Sequence, residues 1–335
     1  NGDINVSKPV IHAGNGSVRL TANGAGADVI GNDSVLSLNS FVRIAAQAEV
    51  IQNGLFASGN NGSLVVTAGD DITMNAGSIG FTGNGNILYA AGGDATIQSL
   101  ITSNGNISAT AVNTLTQRSN IISLANGSID VSAGTTLTMI DQTLSLVGNN
   151  RDIRYSAGGN IFLSSLISTQ GDVSVRSTGG SIRDGGDALP EIVGQNVMLY
   201  APNGGIGQSG GGANGLEMAA NNIAASAGSG GINVAVGGNV NITTVGSGIS
   251  VQRVNTSGGS STISDGTLSG YTTTGGGPIV LLGNGTTTVS QPVSAGGAGN
   301  IAIINSSSTT VENIVLNNIV TSGSGNITIA ADGAL

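Results

Sequence analysis

Eighteen acidic side chains, one histidine and no cysteine narrow the acid–base and metal chemistry open to this sequence. The densest carboxylate group is Asp184, Asp187 and Glu191, with Arg183 beside it. A carboxylate pair of this kind is what a polysaccharide hydrolase or lyase needs to protonate a leaving oxygen and steady the opposite face of a sugar ring. The same residues among glycines also describe a solvated corner loop, where Asp accepts hydrogen bonds from its own turn. Asp70-Asp71 is the only adjacent acidic pair and takes the same loop reading. His12, the sole histidine, lies outside any Gly-x-Ser-x-Gly elbow, so a surface position is expected for it. Gly92-Gly93-Asp94 and Gly185-Gly186-Asp187 resemble fragments of calcium-binding solenoid repeats but lack the nine-residue register. No catalytic, cofactor or metal residue is therefore assigned.

Two further polar patterns bear on function. Asn-x-Ser/Thr triplets open at Asn5, Asn15, Asn61, Asn106, Asn126, Asn241, Asn284 and Asn326, a by-product of Gly-Asn-x-Ser turns. Thr272-Thr273-Thr274 and Thr286-Thr287-Thr288 raise the ice-binding alternative, which would require threonines at one place in successive coils.

The elements carrying these residues are short. Glycine contributes 57 of 335 residues, aromatics 2 % and charged residues 8 %, against about a quarter charged in an ordinary globular domain. Yet 39 % of the chain is hydrophobic with a mean hydropathy of +0.23, so it is not a disordered linker. One phrase recurs, Gly then Asn, Asp or Ser then Ile, Val or Leu: Gly62-Ser63-Leu64, Gly85-Asn86-Ile87, Gly105-Asn106-Ile107, Gly127-Ser128-Ile129, Gly171-Asp172-Val173, Gly299-Asn300-Ile301 and Gly325-Asn326-Ile327. From Leu64 the anchors Ile87, Ile107, Ile129, Ile153 and Val173 recur every roughly 20 to 24 residues, a solenoid period. A second phrase follows inside each period, as in Thr67-Ala68-Gly69-Asp70-Asp71-Ile72 and Ser132-Ala133-Gly134-Thr135-Thr136-Leu137. Within each phrase the period is two, which denotes strands and no helix.

Strands this short must each pair with a counterpart one turn on, about 4.8 Å along an axis. The expectation is an all-β, right-handed parallel β-helix of roughly 15 coils, with the five anchors in one interior column. Ser, Thr and Asn should cover the outer face, positive-φ glycines the corners, and rings should find little room inside. An outward residue such as Asp130 should be replaceable by Ser at little cost, whereas Ile129→Asp should unfold neighbouring coils. Residues 1–335 are read as one continuous β-helix, an internal portion of a longer protein, with looser corner loops near 181–215 and 257–278.

These phrases resemble those of the filamentous-haemagglutinin-like family of large secreted bacterial adhesins and exoproteins. The likeness is clearest at Ser156-Ala157-Gly158-Gly159-Asn160-Ile161, Gly204-Gly205-Ile206-Gly207 and the run 224–234. It implies an extracellular or cell-surface stalk or fibre module that is not an enzyme. A polysaccharide-processing β-helix enzyme is the alternative and an ice-binding solenoid a lesser one. The net charge of −9 and pI near 4.3 speak against nucleic acid as a partner. No apolar run is long enough for a membrane-spanning helix. The receptor or surface ligand stays open, with self-association or end-to-end stacking as a further expectation.

Overall fold

A computed structural model describes residues 2–186, 190–207, 215–246, 248–306 and 313–331. Among them there is no helix: parallel strands stack as a β-solenoid of about 14 turns. No helix long and apolar enough to cross a membrane occurs among the described residues. Two compact units are distinguished, residues 1–154 with 250–263, and residues 155–249 with 264–335.

In the first unit each coil carries three strands joined by tight turns. One coil runs through Ile87–Ala91, Ala95–Ile97 and Ser99–Thr102, and the next through Ile107–Ala111, Leu115–Gln117 and Ile121–Ser123. Every strand pairs in parallel and in register with its equivalent one coil away, so Val42, Leu64, Ile87, Ile107 and Ile129 form a single column. All are buried. Burial of each is worth about 1.5–3 kcal/mol. Ile153 and Val173 are buried as well, and Val173 begins a corresponding column with Val197 and Ile223 in the second unit.

The interior departs from expectation in two ways. It holds a column of hydroxyls, Ser37, Ser58, Thr82, Thr102 and Ser123, at the end of the third strand. Each donates to a turn carbonyl, as Thr102 Oγ1 does to Gly85 O at 3.1 Å and Ser123 Oγ to Gly105 O at 2.9 Å. The alternation rule had placed such residues outside. Rings also enter the bore: Tyr89, Tyr155, Tyr271 and Phe56 are fully buried. Tyr89 stacks between Val66 and Ala109 and donates its hydroxyl to Gln52 Oε1 at 2.7 Å, in space left by Gly80, whose Cβ would lie 2.8 Å from that hydroxyl.

The corner glycines divide between two causes, and Gly26, Gly77, Gly276 and Gly297 have the expected positive φ. Asn60 and Asn149 do adopt positive φ at corners. In the column Gly85, Gly105 and Gly127, however, the constraint is the coil beneath: a Cβ there would sit 1.9, 1.8 and 1.7 Å from the carbonyl oxygen of the glycine one coil earlier. Backbone rests on backbone at this edge.

Residues 257–278 are not a loose corner loop throughout. Ser250–Val254 and Ser260–Ser264 form a two-stranded sheet, and residues 250–263 lie as a strap across the outer face of the first unit. Ser250 N donates to Asp152 Oδ2 (2.8 Å), Gln252 N to Ser128 Oγ (2.7 Å) and Val254 N to Ser108 Oγ (2.9 Å). Further along, Ser63 Oγ and Asn86 Nδ2 both donate to Gly258 O, and Arg43 donates to Thr256 O. Val254 closes an apolar patch with Val65 and Leu88. Asp130, expected to face solvent, is buried under this strap between Arg154 (3.1 Å) and Arg253 (2.5 Å). The neutral-substitution expectation for Asp130 is thereby overturned.

In the second unit the region 181–215 is likewise more ordered than a loop, although 187–189 and 208–214 lie outside the described residues. Ile182–Asp184 pairs with Ile161–Leu163, and the long strands Ile192–Ala201 and Leu216–Ala227 run in register from Ile192↔Met218 to Ala201↔Ala227. Gly231–Val236 pairs with Ile279–Gly283, some 47 residues on, because the coil is left after Ile242 and rejoined at Tyr271. Within this unit the base of that excursion is the antiparallel pair Thr244–Val245 and Leu268–Ser269, packed on Met198 and Ala224. Asp265 accepts from Ser174 Oγ (2.7 Å) and pairs with Arg176, whose guanidinium stacks 4.5 Å from the Tyr200 ring centre.

Candidate functional site

The residues singled out by type disperse. His12 Nδ1 accepts from Gly14 N at 3.1 Å, a local turn contact. Asp71 Oδ1 accepts from Asp94 N at 2.7 Å and so serves the turn above it. The guanidinium of Arg183 lies 6.0 Å over the Phe162 ring. Thr272 stacks with Ser226 and Ser294, and Thr288 with Asn241 and Val315, so neither threonine run repeats in successive coils, whereas Thr73, Thr96, Thr116 and Thr138 do stand in one column of the first unit.

The acidic group around residue 184 is different. Asp187 lies outside the described residues. Asp184 and Glu191 are joined by Glu217, which sequence separation had hidden, and carboxylate oxygens of the three lie within 4.8 Å of one another. Each is set by a separate strand. Asp184 ends Ile182–Asp184, opposite Leu163, and its Oδ1 accepts from Gly186 N at 2.7 Å. Glu191 precedes Ile192–Ala201, with its carbonyl accepting from Leu166 N at 2.8 Å. Glu217 is the second residue of Leu216–Ala227. Since Ile192 pairs with Met218, Glu191 and Glu217 stand one above the other in adjacent coils. The signal that could have found Glu217 is the 26-residue spacing that runs from Leu166 through Ile192 to Met218, longer than the 20 to 24 between Leu64 and Val173.

Glu191 is completely buried. Its Oε2 accepts from Glu217 N at 2.6 Å, while its Oε1 has no hydrogen-bond partner. Desolvation raises its pKa to about 9, and the nearby Glu217 and Asp184 charges push the same way, against the Glu217 N–H. Beside it opens a groove of about 470 Å³ whose walls include Pro190, Glu217, Met218, Val236, Leu282 and Ile304. A protonated carboxyl next to an ionised one is the arrangement of an acid–base pair. A general acid must touch its leaving group, however, and Glu191 presents no surface. What the three carboxylates can do as placed is share one bound cation.

A scan against protein-family models, a search of curated proteins and a search of solved structures each returned no match to this chain.

Proposed function

We propose that this chain is a non-enzymatic, extracellular structural or adhesive module, a stalk or fibre segment of a filamentous-haemagglutinin-like surface or secreted protein. The observation that carries this reading is where the first unit's polar side chains are used. Asn61, Asn84, Asn104, Asn126 and Asn149 form an outer ladder in which each amide donates to the side-chain oxygen one coil earlier, at 3.2, 2.6, 3.2 and 3.3 Å. Asn5, Asn32, Asn53 and Asn75 form a second, at 2.9, 2.7 and 2.6 Å. Such bonds add to the backbone ladder about 0.5–1.5 kcal/mol each, at the lower end where exposed. They tie coil to coil. Exposed asparagines locked to one another, a strap over the outer face and an aliphatic bore all serve resistance to bending and fraying, the property a spacer requires.

The polysaccharide-enzyme alternative is tested with the purified chain on a panel of neutral and acidic polysaccharides, following reducing ends and unsaturated uronate absorbance. No depolymerisation is expected. Turnover abolished by Glu191→Gln would overturn the structural reading. Antibody labelling of intact, unpermeabilised cells that make the protein tests the location. Signal only after permeabilisation would contradict it.

A further inference from the structure

We infer that Asp184, Glu191 and Glu217 form a binding site for a hard divalent cation of the calcium class. The cluster rests on more than its acidity. Glu191 is completely buried, and its Oε1 is one of three buried side-chain atoms without a hydrogen-bond partner among the described residues. An oxygen shut away from water without a donor costs free energy, and the groups facing it are two further carboxylates. Coil stacking places Glu191 directly against Glu217, so the two can be ionised together only with a cation between them. Among the described residues no lysine or arginine forms an ion pair with any of the three. A cation seated among them would give the orphaned oxygen a partner and take the place of the proton that burial otherwise keeps on Glu191.

The donor set selects the ion. Oxygen-only carboxylate ligands suit Ca²⁺, Mg²⁺ or Mn²⁺ and leave out the metals that favour imidazole and thiolate. Mg²⁺ demands a near-ideal octahedron and sheds water reluctantly, whereas Ca²⁺ accepts irregular, partly bidentate shells completed by carbonyls and water. The three carboxylates come from three separate strands, and Glu217 also lines the adjoining groove, which supplies an approach for the ion and its waters. Bound there, the ion would pin the start of Ile192–Ala201 to Leu216–Ala227 and to the end of Ile182–Asp184. It would act as a staple, independent of whether the module is a stalk.

The test uses the full chain, freed of metal by EDTA and exchanged into buffer at fixed ionic strength. CaCl2 is titrated by calorimetry, and thermal unfolding is followed with and without it. Glu191→Gln and Glu217→Gln keep the side-chain shape and add no charge, so both should fold, as circular dichroism will verify. Asp70→Asn serves as a distant control. Saturable binding is expected with a dissociation constant no weaker than about 1 mM, the range of extracellular calcium modules, together with a rise of several degrees in an unfolding midpoint. Each glutamine variant should weaken binding at least tenfold and lose the shift, while Asp70→Asn retains both. No heat and no shift up to about 10 mM, or equal binding by both glutamine variants, would overturn the site. An equal response to MgCl2 would overturn the assignment to calcium.

Discussion

Replacing Asp130 by Ser removes a carboxylate that is fully buried and joins two arginines, Arg154 in the coil stack and Arg253 in the strap. A hydrogen bond to a charged group contributes about 1.5–3 kcal/mol. The Arg154 contact, with its side chain 13 % exposed, keeps most of that. Arg253 is 34 % exposed, and solvent screening reduces its share to about 1.5 kcal/mol. Serine is too short to reach either guanidinium, so the first unit should lose about 3 kcal/mol, within the range for breaking a buried pair from one side. For a unit of this size that corresponds to a fall of about 6–12 °C in its unfolding midpoint. The strap's own share is read separately by hydrogen exchange at Gln252 and Val254, whose amides donate to Ser128 and Ser108. Weakening the strap by about 1.5 kcal/mol should speed their exchange roughly tenfold. In a double-mutant cycle, Arg253→Gln should add little once Asp130 is gone. A D130S protein that melts and exchanges like the parent would refute the burial of Asp130 and the docking of the strap together.

Three further outcomes follow from particular contacts. Gly105→Ala should cost more than 2 kcal/mol by driving the coils apart, since its Cβ would fall 1.8 Å from Gly85 O, whereas Gly237→Ala, whose nearest contact would be 3.8 Å, should melt like the parent. Asn104→Ala interrupts the five-asparagine ladder and should lower stability by about 1 kcal/mol, with faster amide exchange in both flanking coils. Glu49 has a pKa raised by desolvation and by the charges of Asp28, Asp71 and Asp70. A carboxyl whose folded pKa lies above its unfolded value contributes stability that is whole below the unfolded pKa, near 4.5, and is lost as pH rises through the folded one. Glu49→Gln should therefore gain stability relative to the parent as pH increases across that window, and a parallel pair of melting curves would contradict the sign.

The solenoid itself was legible in the sequence because its cause is local: a Gly-Asn-Ile phrase with an interior period of two leaves each strand one stable partner, the same phrase one coil on. That logic placed Leu64, Ile87, Ile107 and Ile129 in one column. It failed where an outward position is covered by distant chain. Asp130 reads as a polar residue between Ile129 and Val131, and nothing nearby announces Arg253, 123 residues away. The interior hydroxyls were missed for a related reason, since the carbonyls they cap become neighbours only once the coil closes. The glycine column was placed correctly but for the wrong cause, as close contact between stacked backbones leaves no trace in one coil's sequence. Of the carboxylate cluster, Asp184 and Glu191 were visible as neighbours in the chain, while Glu217 enters from the next coil, 26 residues on.

Coil-on-coil register underlies the ladders, the strap and the carboxylate cluster alike, and the absence of cysteine from the chain allows it to be tested by cross-linking. Thr110 and Ser132 are in-register partners on outward positions of adjacent coils, so a Thr110→Cys, Ser132→Cys double variant should oxidise to an intramolecular disulfide, seen as the loss of two hydrogens in the intact mass. Thr110→Cys with Thr135→Cys, displaced three residues along the same coil at about 3.3 Å per residue, should stay reduced. Closure of the second pair in preference to the first, or of neither, would contradict the parallel in-register stack.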